Sequence, residues 1–398
     1  MDNLNTVMSQ SIKVLMLLDN PFTNDRRVQR EAETLAKAGY DISLVCTKAK
    51  NLPDEEVING VKVFRLFDQP ALFDVKNKSY PKTVATYLVE KFKFDVLHTH
   101  DREMLHLARY IHKIKSGFKY VHDIHEMHFS FPVIAGSKSL FVKLKSKAVH
   151  QLRVWRESSD AVNITNFITV NYSLEENLRK YHKIQKQGVV LRNVPEKIGA
   201  IQNQNLIRIK FGIPETTKIL VFIGSNIYPD VLNLEQVMHE IGNKENLALV
   251  YICADNENKK LVERWAIGQG YENIYFHPLL KPDDIPVYLA SCDIGLVPTW
   301  NKKNLSYWYA LDNKLFEYMM SEIPILATQQ PEYIKMVDAY KIGVCVNPDV
   351  PNAYFNGLQE ILQNYLYYKD NLVKAKEENN WEFESKKLLH LYSEILKN

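Results

Sequence analysis

The sequence predicts an α/β protein made of two doubly wound domains in tandem. Three observations carry that expectation. Short apolar or β-branched runs alternate with stretches of helical period along most of the chain. The alternation pauses once, at residues 195–217, and then restarts. The length of 398 residues also exceeds what one ordinary α/β domain requires.

In the first half the strands are expected at 13–18, 41–46, 61–66, 95–99, 119–122, 161–165 and 189–191. Helices are expected near 25–38, 82–93, 104–114, 140–155 and 174–181, with Gly39 stopping the first. This βαβ rhythm implies a parallel sheet covered on both faces. Residues 195–217 (PEKIGAIQNQNLIRIKFGIPETT) are polar, contain two prolines and show no apolar face, so they read as a linker. Strands then recur at 218–224, 247–253, 274–276, 294–297, 325–327 and 343–346. The expected organisation is a first domain at 1–194, a second at 218–380, and a tail at 381–398. The tail's apolar-periodic helix, 388–396, comes too late for the second sheet and is expected to cross back onto the first domain. Ligands are expected beyond the strand carboxyl ends and in the cleft between domains.

Composition narrows the function. The four cysteines, Cys46, Cys253, Cys292 and Cys345, are widely spaced in or beside apolar runs and read as reduced core thiols. The start, MDNLNTVMSQS, lacks a basic and apolar export signal, and no run approaches ~18 apolar residues. A cytoplasmic protein without a membrane span is therefore expected. Residues 1–194 hold 30 basic and 21 acidic side chains, whereas 195–398 hold 20 and 26. A basic first half suits an anionic partner such as membrane lipid or a phosphorylated carrier. Strand-helix alternation without a recognised nucleic-acid motif argues against nucleic acid. The absence of a GxGxxG loop argues against a dinucleotide-dependent dehydrogenase.

Two histidine-rich strand ends stand out. VHDIHEMH places His122, Asp123, His125, Glu126 and His128 within seven residues. Alternate residues of a strand face opposite ways, so these groups do not all converge, and a zinc site is not expected. HTHD puts His98 and His100 on one face with Asp101 after them. His100 and Asp101 are read as acceptor or wall residues. Asn20, after the first strand, and Arg26, at the next helix start, are read as contacts to acceptor or phosphate. The arginine equally suits a surface pair with Glu33 or Glu31. The segment 140–156 carries Phe141, Leu144, Ala148, Leu152 and Trp155 at helical spacing, among Lys143, Lys145, Lys147, Arg153 and Arg156. Two readings share that pattern: a basic amphipathic helix on anionic lipid, or an apolar face packed on the sheet.

The ordered series NDRRVQREAETLAKAGYDISLVC, FDVLHTHD, VHDIHE, ITVNYSLEENL, VVLRNVP, FIGS, IYFHPLLKPDDIPVYLASCDIGLVPT, DNKLFEYMMSEIPILAT and NWEFESKKLLHLY resembles the GT-B glycosyltransferases. The likeness is to the large retaining group called family 4, and it covers nearly the whole chain. It implies two Rossmann-like domains facing a cleft. It also implies transfer of a hexose-type sugar from a nucleotide diphosphate sugar, UDP-sugar favoured, to a cell-surface polysaccharide or lipid-linked acceptor. The nucleotide sugar is then a co-substrate, and no obligatory cofactor or metal is expected, since no DxD pair ends a strand.

The resemblance also assigns residues. The helix start Asp312–Asn313–Lys314–Leu315 suits a diphosphate, and Glu317, one turn in, suits the ribose diol. The family often carries a second glutamate eight positions earlier, where this chain has Tyr309. The family's basic pair is missing after Gly224–Ser225, which leaves Lys314 either to neutralise the diphosphate or to stand as an ordinary helix lysine. His277 is placed against the nucleobase, with a plain turn as the alternative, and Gln330 in a cleft-lining loop. His125 is placed beside the transferred sugar, with Asp123 and Glu126 as neighbours. These departures keep two rivals in view: a GT-B sugar-nucleotide epimerase or hydrolase, and a non-catalytic GT-B partner subunit.

Overall fold

A computed structural model describes residues 11–23, 25–67, 79–130, 140–199, 201–202, 204–229 and 231–397, with backbone alone at 140–143. The chain divides into two compact units, Met1–Arg192 with Ser385–Asn398, and Asn193–Glu384.

The first unit holds an eight-stranded sheet of β1 (Lys13–Leu17), β2 (Asp41–Thr47), β3 (Glu55–Ile58), β4 (Val61–Phe67), β5 (Val96–His100), β6 (Lys119–Ile124), β7 (Phe167–Thr169) and β8 (Val189–Val190). Its order is β3-β4-β2-β1-β5-β6-β7-β8, so the winding reverses between β1 and β5. All neighbours are parallel except β3 and β4. Those two form a hairpin through Asn59 and Gly60, with φ of 47° and 87°. Such a turn needs two left-handed residues, which Asn-Gly supplies at low cost. The sequence reading passed over this short charged edge strand. The strand expected at 161–165 is instead a 3-10 turn, Ala161–Asn163, and β7 starts later. The preceding helix runs on to Asp160 because its carboxylate is held by His106 and Arg109, at 2.7 and 2.8 Å.

The helix Arg26–Lys37 follows β1. Asp25 caps it by accepting from the Val28 amide at 3.1 Å, and Gly39 at φ 91° ends it. Its buried face is Arg27, Val28, Glu31, Ala32 and Leu35. An ion pair thus sits in the middle of an apolar stripe. The final helix is Trp381–Lys397, and its residues from Ser385 onward belong to the first unit. There Leu388 and Tyr392 are fully buried, and Tyr392 meets Tyr40 edge-on at 5.3 Å.

The second unit has a six-stranded, all-parallel sheet in the order β11-β10-β9-β12-β13-β14. Its strands are β9 (Lys218–Ile223), β10 (Leu247–Cys253), β11 (Ile274–Pro278), β12 (Ile294–Val297), β13 (Ile325–Thr328) and β14 (Gly343–Val346). The winding reverses between β9 and β12. The segment 195–217 is no bare tether. It contains the helix Leu206–Phe211, with Ile207 fully buried and Arg208 2.9 Å from Asp293. The polar composition concealed one anchoring apolar side chain and one ion pair.

A glycine fixes the helix that opens toward the ligand end of this sheet. A Cβ on Gly295 would lie 2.3 Å from the Tyr318 ring. Gly295 therefore makes the notch into which Tyr318 packs. The Tyr318 hydroxyl donates to the carbonyls of Val221 and Leu296 at 3.0 and 3.2 Å, and accepts from the Ile223 amide at 3.1 Å. The helix Asn313–Met320 is thereby bolted to β9 and β12.

Candidate active site

In an open parallel sheet, ligand sites lie beyond the strand carboxyl ends where the winding reverses. In the first unit that place is marked by β1, β5 and the adjacent β6. Parallel register puts His100 beside Asp123, and strand alternation turns His98 to the same face. The two histidine rings stack at 4.5 Å. His122 faces the other way, with Nδ1 2.8 Å from the Thr99 hydroxyl, and burial lowers its pKa to about 3. It is a packed structural histidine.

Arg27 is the centre of the array and is only 4% exposed. Its Nε and Nη2 donate to the two oxygens of Asp123, both at 2.9 Å, and Nη1 donates to the Leu191 carbonyl at 2.7 Å. Glu31, one turn along, is 3.3 Å from Nε. Outward of this pair, His125 is clasped by two carboxylates. Its Nε2 is 2.8 Å from Asp123 and its Nδ1 is 3.2 Å from Asp101. Asp101 adopts a left-handed φ of 59° at the end of β5, which turns its carboxylate to face His125.

These contacts set the charges. Burial works to lower His125, but Asp101 and then Asp123 hold it well above the ordinary imidazole range. Burial works to raise Asp123, yet Arg27 and His125 hold it well below a normal carboxylate. Asp101, likewise opposed by burial, is brought down to about 2 by His125. The two carboxylates thus favour a charged His125, while Arg27, whose Nε is 2.8 Å from His125 Nε2, works the other way. Asp19, just past β1, is pushed up to about 7 by burial, then by Asp101 and Glu103.

Deeper in, the Tyr392 hydroxyl is 2.9 Å from His98 Nδ1, and His98 Nε2 is 3.8 Å from Glu31. Glu31, His98, His100 and Asp123 each bring one ligand atom within 4.8 Å of the others, a donor set of metal-binding type. Asp123 is already saturated by the Arg27 fork and by His125. The guanidinium supplies the positive charge that this carboxylate requires.

The second unit builds its strand ends differently. Gly224 ends β9, and a Cβ there would lie 2.9 Å from the buried Phe222 ring. Ser225 follows, exposed. After β12, the Thr299 hydroxyl and Lys314 Nζ donate to Asp312 at 3.0 and 2.6 Å. Burial opposes the charge on Asp312, but Lys314 keeps its pKa low. Asn313 is exposed at the first turn of its helix, and Glu317 is half-buried one turn later. A cavity of about 390 Å³ in this unit is lined by Ser291–Asp293 and Ser321–Ile323, which enter β12 and β13. It lies at the amino ends of these strands, away from the carboxyl ends that carry these groups.

Several expected roles change. Arg27 and not Arg26 joins the charged cluster, as a buried partner of Asp123 and not as a contact to acceptor or phosphate, because 27, 28, 31, 32 and 35 share the buried helix face and Arg26 starts outside it. Glu31 and Tyr392 have no site role in the sequence reading, and His98 enters it only beside His100 in HTHD. A charged pair at i and i+4 within an apolar stripe is the signal that could have found the first. Asn20 accepts from the Phe22 amide and donates to Asp25, both at 2.9 Å, so it organises the loop. Glu126 is exposed and turned toward His128, 3.8 Å away, and lies outside the clasp. His277 is buried beside Tyr288 and Phe211, packed in the wall and not presented for stacking on a base. Leu315 has a fully buried side chain, and its amide already donates to the Asp312 carbonyl. Gln330 is fully buried and donates to the Thr299 carbonyl at 2.7 Å, bracing the loop from behind. Lys314 is neither exposed nor unpartnered. Tyr309 ends the short helix Leu305–Trp308, half-buried.

Comparison with known proteins agrees with this architecture. Residues 25–193 match the model of Glycosyltransferase Family 4, and residues 217–364 match that of Glycosyl transferases group 1. An uncharacterised glycosyltransferase of Methanocaldococcus jannaschii, MJ1607, is 22% identical over 395 residues, 91% of this chain and 91% of that protein. The putative colanic acid biosynthesis glycosyl transferase WcaI of Escherichia coli is 25% identical over 245 residues, covering 58% and 57%. The crystal structure of Anabaena Alr3699/HepE in complex with UDP superposes with a TM-score of 0.70 at 11% identity, over 97% of this chain and all of that one (100%). The chain belongs to the GT-B glycosyltransferases of the family 4 and group 1 type, and it is a transferase.

Proposed function

We propose that this chain moves a hexose-type sugar from a UDP-sugar onto a lipid-linked or cell-envelope glycan acceptor, working at the cytoplasmic face of an anionic membrane. The observation that carries the acceptor reading is the helix Leu140–Asp160. Its stripe does not pack on the sheet. Leu144, Leu152 and Trp155 are 59%, 45% and 66% exposed, beside the exposed Lys145, Lys147 and Arg153. The side chain of Phe141, expected in the same stripe, lies outside those described. An exposed apolar row with basic flanks suits an acidic lipid surface. Among the described residues no helix is long and apolar enough to cross a membrane, so the attachment is peripheral.

The UDP assignment is supported by the UDP complex of the Anabaena relative. It is also supported by the exposed helix start at Asn313 with Glu317 one turn in, where amides suit a diphosphate and the carboxylate suits a ribose diol. The reaction proceeds with retention. As the C1–phosphate bond breaks, its electron pair passes to the phosphate oxygen. The acceptor oxygen bonds C1 on the same face, and its proton goes to that departing oxygen. Both nitrogens of His125 lie against carboxylates, and Nε2 also lies against Arg27 Nε, so the ring is given no proton-transfer role. Its positive charge is suited to the growing negative charge of a leaving group. One observation favours a second reading. Asp19, poised at about 7, is suited to act as general base, and a base-assisted attack from the opposite face would invert the anomer.

The experiment is incubation with UDP-hexoses and vesicles carrying lipid extract. Release of UDP with sugar in the lipid or glycan fraction is expected, on acidic vesicles in preference to zwitterionic ones. Lack of any UDP-sugar consumption would sink the donor assignment, and equal sedimentation with both vesicle types the membrane contact. The anomeric proton of the product, read by NMR, separates retention from inversion.

A further inference from the structure

We propose that Arg27 is a positioning residue for the transfer reaction, holding the His125 ring in one orientation by fixing Asp123 and by its own contact with the ring. The inference rests on the reading of His125 as part of the active site.

Arg27 uses three nitrogens at once, two on the oxygens of Asp123 and one on the Leu191 carbonyl, and its Nε also lies 2.8 Å from His125 Nε2. It thus ties the helix after β1 to β6 and to the segment after β8. A planar fork can do this, whereas a lysine offers a single charged point. Asp123 is fully buried and has no solvent to settle its charge or its rotamer, so the fork decides both. His125 then inherits the geometry, because its Nε2 donates to the oxygen that Arg27 holds, while Nδ1 donates to Asp101.

The groups facing His125 are Asp101 and His100 from β5 and its following helix, Asp123 from β6, and Arg27 with Glu31 from the helix after β1. Glu126 and His128 are close on its own segment. Arg27 is itself shut off from solvent and touches no surface that a substrate reaches. Its effect is therefore exerted inside the cluster, on Asp123 and on the His125 ring, whose Nε2 lies 2.8 Å from Arg27 Nε.

The test compares wild type with Arg27→Lys and Arg27→Gln in the full chain. Proton NMR of protein with ¹⁵N-labelled histidine, assigned with His125→Gln, reads the two ring N–H signals of His125. Steady-state kinetics read turnover, and thermal unfolding with and without UDP confirms a folded chain. In wild type both ring N–H protons should be hydrogen-bonded and protected from exchange. In the variants the Nε2–H signal should broaden or vanish while Nδ1–H persists, with kcat falling about 100-fold and KM for the donor nearly unchanged. Arg27→Lys, which retains the charge, keeps the test open should Arg27→Gln fail to fold. Unchanged signals with a fall in kcat, or changed signals with unchanged kcat, would each overturn the proposal. A wild type that shows both protected signals yet turns over no sugar nucleotide would defeat the functional reading, and the variants' Nε2–H signal would then decide the positioning on its own.

Discussion

At the carboxyl ends of the first sheet, Arg27, Glu31, Asp101, Asp123 and His125 pack against one another as charged or chargeable side chains. At the same ends of the second sheet the chain presents Gly224, Ser225 and the opening turn of a helix, with one ion pair, Asp312 and Lys314, tucked beside them. Both sheets reverse their winding at these points, so topology selects the place in each. What differs is the material. The first unit invests in side-chain charge that is rigid before any ligand arrives, which suits a group that must face developing charge at a set angle. The second invests in backbone, which suits a phosphate chain that needs amides and close approach.

If that contrast is right, damage to the two ends should be of different kinds. The largest effect is expected from Asp123→Ala. It leaves the Arg27 guanidinium buried without the carboxylate that accepts from two of its nitrogens, with only Glu31 beside it, and chemical denaturation should show a loss of about 3–5 kcal/mol along with loss of transfer. Glu317→Ala should leave the fold intact and weaken UDP binding by about 1–3 kcal/mol in calorimetry, through loss of charge-assisted hydrogen bonds. Unchanged affinity in a folded Glu317→Ala protein would remove that residue from the nucleotide site. Gly224→Ala drives a methyl against Phe222, which is 1% exposed and cannot retreat. A destabilisation of about 1–2 kcal/mol is expected in the same measurement, with a weaker response of the melting temperature to UDP.

Asp101→Asn should cost stability at neutral pH and differ from the other substitutions in that the cost disappears in acid. The folded-state pKa of Asp101, about 2, lies below the ordinary carboxylate value of 3.8, so its contribution is present above about pH 4 and is lost as pH falls through about 2. Asparagine tolerates the left-handed backbone at this position. The substitution should flatten the acid limb of the stability profile between those values, and an unchanged limb would show that the His125 contact does not set the charge on Asp101.

Much of the fold could be read from periodicity. Strands 247–253, 294–297 and 343–346 appear with the same bounds as expected, because fully apolar runs between turn residues leave few alternatives. The failures have physical causes. The Glu55–Ile58 strand carries too little apolar pattern to register, although its Asn-Gly turn was in plain view. Residues 161–165 were judged by β-branching alone, while Asp160 was being held in the helix by partners about 50 residues away. The HTHD and VHDIHE motifs drew attention to His100, Asp101, Asp123 and His125, the last two through the family resemblance, and the structure brings these four side chains together while leaving Glu126 outside.

The sequence by itself determined the two α/β units, the strands whose ends carry chemistry and the family resemblance, since these depend on local period and on motifs a few residues long. Only the tertiary structure decided that Arg27 and not Arg26 enters the site, that His125 is clasped at both nitrogens, and that Tyr392 reaches His98 across 294 residues of chain. It also turned the apolar stripe of the helix Leu140–Asp160 outward. Such choices depend on which faces meet when helices settle on a sheet, and on burial that removes water as an alternative partner, neither of which is written in local sequence.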